Sequence, residues 1–299
     1  MIDIKRAMAS ERIMKSLTGL KIQQFNDLSQ AFEKNLKKSF KKQRNVNSDL
    51  GRDFILKTAS EKLFYILFYV KCYPTFDLAA FIFKVDKSTC CRWTHWFMEA
   101  LKNTLNQEIV LPKRKMKDFK NLSETFNEIK EIFIDGTERP IRRPKNSETQ
   151  KNNYSGKKKR HTKKNIIITN SKKEILLVSP TEKGSFHDYN IFKQEEIGDY
   201  LPGNIITNMD TGFLGVEKDF PHIKVIMPKK KPKGKNLTFM DIENNKLKSK
   251  KRVLVENALA GVKRLKIVSD IYRNHKKDFD DLVILISCGI WNYYLKTIS

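Results

Sequence analysis

The hydrophobic period of the chain changes near residue 110, and this change restricts the fold more than any other feature. Upstream, apolar residues recur at helical spacing. Downstream they gather in short runs bounded by polar and turn-forming residues, the mark of strands. EIKEIFIDGTERPI (128–141) reads as a buried strand ending in the carboxylate of Asp135, and KNIIITNSKKEILLVSP (164–180) as two strands joined by an Asn-Ser-Lys-Lys turn. HDYNIFKQEEIGDYL (187–201) is helical, NIITNMDTG (204–212) is a fourth strand ending in Asp210, and HIKVIMPK (222–229) is a fifth. A long helix, LKSKKRVLVENALAGVKRLKIV (247–268), follows. Three strands, helix, strand, connection, strand and helix is the order of a ribonuclease H-like mixed sheet. The expectation is therefore an α/β chain with a five-stranded mixed sheet in a domain spanning 111–299, preceded by an all-α domain over 1–110.

In the first part, Leu17, Leu20, Phe25, Leu28 and Phe32 keep a roughly helical period, and the polar stretch RNVNSDLGRD after Gln43 is expected to be a loop. Next come an apolar helix ending near Pro74, a short helix near Phe76 to Phe83, a two-residue turn at Lys84-Val85, and a third helix with Asp86 as N-cap. Trp93, Trp96, Phe97, Ala100 and Leu101 form its core stripe. Lys87, Ser88, Arg92 and His95 occupy the opposite face near its N-terminus. This is the pattern of a helix-turn-helix DNA reader, although any three-helix bundle shares the periodicity. NQEIVLPKRKMKDF (106–119) reads as a linker, and LVILISCGIWNYYL (282–295) as a core helix.

Lys and Arg number 59 against 34 Asp and Glu, a net charge of +25. Such an excess calls for a polyanionic partner, with an AT-rich genome's drift toward Lys as the competing source. Placement decides more than the sum. Basic residues concentrate in YSGKKKRHTKK (154–164) and PKKKPKGK (228–235), next in sequence to the carboxylate-bearing strands. They either flank a cleft and neutralise phosphates or are solvated loop charge. No run reaches the roughly 20 apolar residues of a membrane helix, and the N-terminus lacks a secretory pattern. A soluble cytoplasmic, nucleoid-associated protein is expected. Cys72, Cys90, Cys91 and Cys288 follow no metal-finger or Cys-x-x-Cys spacing and read as reduced core filler.

Asp135 and Asp210 each close an apolar strand, where active sites of open α/β sheets gather. A lone Asp at such a place is commonly a cap or turn former. Two of them, with Glu256 on a helix whose apolar side is Val253, Leu254, Ala258 and Val262, form a candidate cluster. Carboxylates without His or Cys suit Mg²⁺ or Mn²⁺, most simply two ions roughly 3.5 to 4 Å apart acting on a phosphodiester.

The strings LFYILFYVKCYPTFDLAAFIF, FIDGTERPIRRPKN, YSGKKKRHTKKN, MDTGF, RVLVENALAGVKR and DIYRNHKKDFDDLVILISCGIWN resemble bacterial insertion-sequence transposases of the DDE superfamily, in the branch with an N-terminal helix-turn-helix and kinship to Harbinger-type nucleases. The resemblance runs in order from about residue 5 to 296. It implies that Asp135, Asp210 and Glu256 are the catalytic acids and metal ligands, and that Arg252 and Lys263 on the same helix contact DNA. Ser249 stands where a Tyr often precedes the Arg, which puts that residue's DNA contact in doubt. The resemblance also covers Lys157, Lys158, Lys159 and Arg160 as phosphate contacts. HDY at 187–189 resembles a His-Asp pair of such nucleases; Asp188 reads as a helix cap or a group behind the ligands, and His187 as a phosphate polariser or a turn filler.

The implied function is a DNA transposase that cuts transposon ends and joins the freed 3′-hydroxyl to target DNA, acting as a homodimer or higher assembly. The alternative is a domesticated DNA-binding protein without catalysis. A recombinase with a protein nucleophile is discounted, because no Arg/His/Arg/Tyr constellation appears and Trp291, Tyr293 and Tyr294 have core spacing.

Overall fold

The structure is a computed structural model that describes residues 2–43, 55–119, 129–232, 234 and 236–297. The loop expected after Gln43 lies outside them. The chain divides into two compact units, one of Met1–Leu111, Val262–Asp270 and Leu285–Ser299, the other of Pro112–Gly261 and Ile271–Ile284.

The helical unit contains α1 (Ile4–Met8), α2 (Glu11–Thr18), α3 (Ile22–Gln43), α4 (Ala59–Cys72), α5 (Phe76–Phe83) and α6 (Lys87–Gln107). Gly19, at φ 84°, ends α2 in the left-handed region that other residues enter at a cost. Thr58 and Glu61 open α4 with a capping box. The last three helices are gathered by Tyr65. Its ring meets Phe83, Trp93 and Phe97 edge-on, with centroids 4.9, 5.4 and 6.0 Å away. Its hydroxyl donates to the Cys90 carbonyl at 2.9 Å and pairs with Thr94 Oγ1 at 3.1 Å. Lys84, at φ 55°, makes the tight turn between α5 and α6. Asp86 is the N-cap of α6 by backbone position, but its side chain makes no capping hydrogen bond. Trp93, Phe97, Ala100 and Leu101 are buried, and Trp96 is half-buried.

The end of the chain returns to this unit, which a linear division at residue 110 misses. Tyr293 donates to the Gln24 carbonyl at 3.0 Å, Asn292 Nδ2 to the Val110 carbonyl at 3.0 Å, and Lys71 Nζ to the Arg264 carbonyl at 2.9 Å. Cys90 and Cys288 are buried and Cys72 and Cys91 half-buried, and none of the four is in a disulfide.

The second unit is built on β1 (Glu131–Pro140), β2 (Tyr154–Ser155), β3 (Arg160–Asn170), β4 (Ile175–Val178), β5 (Glu182–Lys183), β6 (Ile206–Met209) and β7 (Lys224–Ile226). The long strands run β4-β3-β1-β6-β7, antiparallel up to β1 and parallel beyond it. This is the ribonuclease H-like arrangement. The sheet has seven strands and not five, because the polar first half of β3 recruits the two-residue strands β2 and β5. The 106–119 segment is not a free linker. Lys113 exchanges backbone hydrogen bonds with Leu176 and Val178 at 2.8 and 3.0 Å, and Met116 and Phe119 enter the core.

Further helices are α7 (Ser147–Asn153), α8 (Asp188–Gln194), α9 (Ile197–Tyr200), α10 (Val216–Asp219), α11 (Phe239–Lys263), α12 (Lys266–Ser269) and α13 (Phe279–Lys296). The segment 187–201 is two helices, broken at Glu196 with φ 53°. No helix among the described residues is long and apolar enough to cross a membrane.

Candidate active site

Asp135 lies in the middle of β1, not at its end. The strand continues through Pro140 because its polar half pairs with β3, from Gly136 opposite Ile166 to Pro140 opposite Thr162. On the other side the last parallel pair is Ile134 with Met209. Asp135 and Asp210 are thus the first residues beyond the β1–β6 ladder, side by side where the parallel strands part. This is the carboxyl edge at which open α/β sheets place ligands.

Each aspartate turns Oδ1 onto its own following amide, Gly136 N at 2.8 Å and Thr211 N at 2.7 Å. Asp210 Oδ1 also receives Arg252 Nη1 at 3.3 Å. Among the described residues, Oδ2 of neither aspartate accepts a hydrogen bond. Burial pushes the Asp135 carboxyl above its usual pKa; the Arg252 guanidinium and the Gly136 amide oppose the shift, while Asp210 and Asp188 reinforce it. Two adjacent carboxylates with unused oxygens and mutual repulsion fit a hard divalent cation.

Glu256 is not gathered with them. It is exposed and lines an open groove along α11 with Leu237, Ile242, Asn245, Ser249 and Val253. Among the described residues no group of three His, Cys, Asp or Glu could hold a metal ion. The helix is turned differently from the expected apolar side: Val255, Ala258, Leu259 and Val262 are buried, and Val253 is 46% exposed. Lys248 and Lys251 tie α11 to the sheet, donating to the Met227 carbonyl at 2.8 Å and to Glu131 at 2.7 Å. That orientation sends Arg252, one turn before Glu256, to Asp210.

Asp188 is not a helix cap. His187, itself exposed, occupies the N-cap position, and Asp188 is the first residue of α8. Its carboxylate accepts from Lys164 Nζ at 3.0 Å and covers Gly136, where a Cβ would stand 2.7 Å from Asp188 Cγ. Lys164 closes the basic segment 154–164, read as phosphate-neutralising or solvated loop charge, but it is buried and pairs with Asp188 instead.

Lys87, Ser88 and Arg92 are exposed on the first turns of α6. Lys87 pairs with Asp77 at 2.9 Å, and Arg92 donates to Thr89 Oγ1 at 3.0 Å. Lys157, Lys158 and Lys159 form the exposed turn of the β2–β3 hairpin, and Arg160 opens β3. Lys263 is the last residue of α11 and half-buried. In 228–235, Lys229 is held by Asp241 at 2.9 Å; residues 233 and 235 lie outside the described residues.

Fold and site define a ribonuclease H-like unit whose paired carboxylates stand at the edge of the parallel strands. The chain belongs to the DDE superfamily endonucleases: that family's model matches residues 134–292, which take in Asp135, Asp210, Arg252 and Glu256. The helix-turn-helix of DDE superfamily endonucleases matches residues 56–107, covering α4 to α6. The chain is also 28% identical over 294 residues to a protein of Microchaete diplosiphon named "Probable transposase for insertion sequence element IS702", covering 97% of both chains. No solved structure matches it.

Proposed function

We propose that the chain is a DNA transposase that cuts the ends of its insertion sequence and transfers the freed 3′-hydroxyl strand into target DNA. The observation that carries this reading is the adjacency of Asp135 and Asp210 beyond the β1–β6 ladder, in a chain of the DDE endonuclease family. The likeness to a probable transposase over nearly its whole length supports the same reading.

In this account Asp135, Asp210 and Glu256 would hold two Mg²⁺ or Mn²⁺ ions, which when bound would supply charge stabilisation for the attacking and leaving oxygens of an in-line displacement. Asp135 and Asp210 offer free Oδ2 atoms. In this reading DNA binding brings Glu256, exposed on α11, to the pair, and the Arg252 contact holds that helix at Asp210. Once DNA is bound, Arg252 turns to a phosphate, which its planar fork suits. Lys263 contacts the DNA as a point charge. The exposed face of Lys87, Ser88 and Arg92 reads the element's ends, and Lys157 to Arg160 neutralise phosphates. The protein works in the cytoplasm on the nucleoid, as a homodimer or larger assembly that pairs two ends.

Incubating the purified protein with Mg²⁺ and labelled DNA carrying the element's own ends tests this. Cleavage at the ends is the expected result. Binding to those ends without cleavage in either Mg²⁺ or Mn²⁺ would instead mark a domesticated DNA-binding protein.

A further inference from the structure

We infer that Asp188 is a positioning residue for this site, an anion that Lys164 fixes beside Asp135 to orient water around cations held by Asp135 and Asp210. The inference rests on the metal-dependent reading above and adds a fourth carboxylate to it.

Three observations carry it. First, the anchor is built into the sheet. Lys164 lies on β3 with its side chain 11% exposed, and donates to Asp188 Oδ1 at 3.0 Å and to the Phe186 carbonyl at 2.8 Å. Glu138, its neighbour across β1, stands 3.7 Å away and accepts from Thr162 Oγ1 at 2.8 Å. One ammonium faces two carboxylates, so the cluster keeps excess negative charge beside Asp135.

Second, the backbone is bare where Asp188 lies. A Cβ on Gly136 would meet its Cγ, Oδ1 and Oδ2 at 2.7, 2.8 and 2.9 Å. Gly136 follows Asp135, so Asp188 rests directly against the catalytic stretch of β1. On its other side, a Cβ on Gly212 would stand 3.4 Å from Asp188 Oδ2, and Gly212 lies two residues after Asp210. The carboxylate therefore sits between the backbones that carry the two aspartates.

Third, Asp188 is set back from direct ligation by its ion pair, since the Lys164 ammonium already stands 3.0 Å from its Oδ1. Mg²⁺ keeps several of its waters when bound by one or two carboxylates. A fixed carboxylate just behind the ligands accepts hydrogen bonds from such waters, and outer groups of this kind change metal affinity about ten- to a hundredfold.

The test is Mn²⁺ binding without DNA, followed by calorimetry or by the spin-resonance signal of free Mn²⁺. Asp188→Asn keeps the shape over Gly136 and removes the charge. It should bind Mn²⁺ about ten- to a hundredfold more weakly, and its DNA cleavage should recover at raised Mn²⁺. A purely structural role would show no such recovery. Gly136→Ala, which leaves every charge in place but drives a methyl into the Asp188 carboxylate, should weaken Mn²⁺ binding likewise; it decides the matter if Asp188→Asn does not fold. Wild-type binding that Asp135→Asn abolishes but both of these variants retain in full would overturn this inference alone. A wild-type protein that binds no Mn²⁺ would overturn the metal reading and this inference with it.

Discussion

Arg252 Nη1 lies 3.3 Å from Asp210 Oδ1, so the helix that bears Glu256 is tied to the carboxylate beyond β6 by a cation. The same guanidinium opposes the upward pull of burial on Asp135.

Arg252→Ala should therefore let Asp135 titrate at still higher pH. Carboxyl carbon-13 shifts followed over about pH 3 to 8 in the DNA-free protein check this, and the Asp135 titration should move to higher pH in the variant. An unmoved titration would show that Arg252 does not act on Asp135.

Asp135 also bears on stability. Burial raises its folded pKa above the unfolded value, so ionisation opposes folding. Stability contributed by the neutral carboxyl is present at low pH and lost as pH rises through the ordinary carboxylate range to the raised folded value. Asp135→Asn, neutral throughout, should melt above the wild type at pH 7 in chelator, and the gap should close toward about pH 4. Equal melting at pH 7 would contradict the burial cost.

In the helical unit, Tyr65→Phe removes a buried hydroxyl from the Cys90 carbonyl and Thr94. It should cost about 1 to 3 kcal/mol in urea unfolding, because those partners stay buried without it. A loss within experimental error would mean that the aromatic contacts alone gather α4 to α6.

The exposed cations should divide by role. Arg92→Ala on the helix-turn-helix should reduce discrimination between end sequence and random DNA by about 1 to 3 kcal/mol. Lys158→Ala, at the β2–β3 turn, should weaken both equally and lower the salt slope by about one. Binding titrations over a salt series separate the two. Unchanged sequence preference in Arg92→Ala would move end recognition to another surface.

The parts of this fold that were legible beforehand are those with local signals. The apolar runs mark all five long strands, and the indole and phenyl spacing of Trp93 and Phe97 marks the buried side of α6. The polar continuation of β1 was illegible because Gly136 to Pro140 are strand only by pairing with β3. The orientation of α11 was ambiguous for a different reason. Val253 and Leu254 compete with Val255 and Leu259 as its apolar stripe, and packing decides for the latter. The pairing of Lys164 with Asp188 and the return of Tyr293 to Gln24 join residues far apart in sequence, and neither partner announces the other.

The most direct test of the account is cleavage of labelled element ends by Asp135→Asn and Asp210→Asn in Mg²⁺ and Mn²⁺, with end binding measured in the same samples. Asn keeps the size of Asp and loses the ligand charge, whereas the basic surface is untouched. Both variants should bind the ends nearly as the wild type does and cut them at least a thousandfold more slowly, a loss on the order of 4 kcal/mol in transition-state stabilisation. Glu256→Gln should do the same if α11 delivers its acid on DNA. The wild type should lose all cutting in excess chelator. Wild-type rates from either aspartate variant, or full cutting in chelator, would contradict the assignment of this pair as the metal-holding centre.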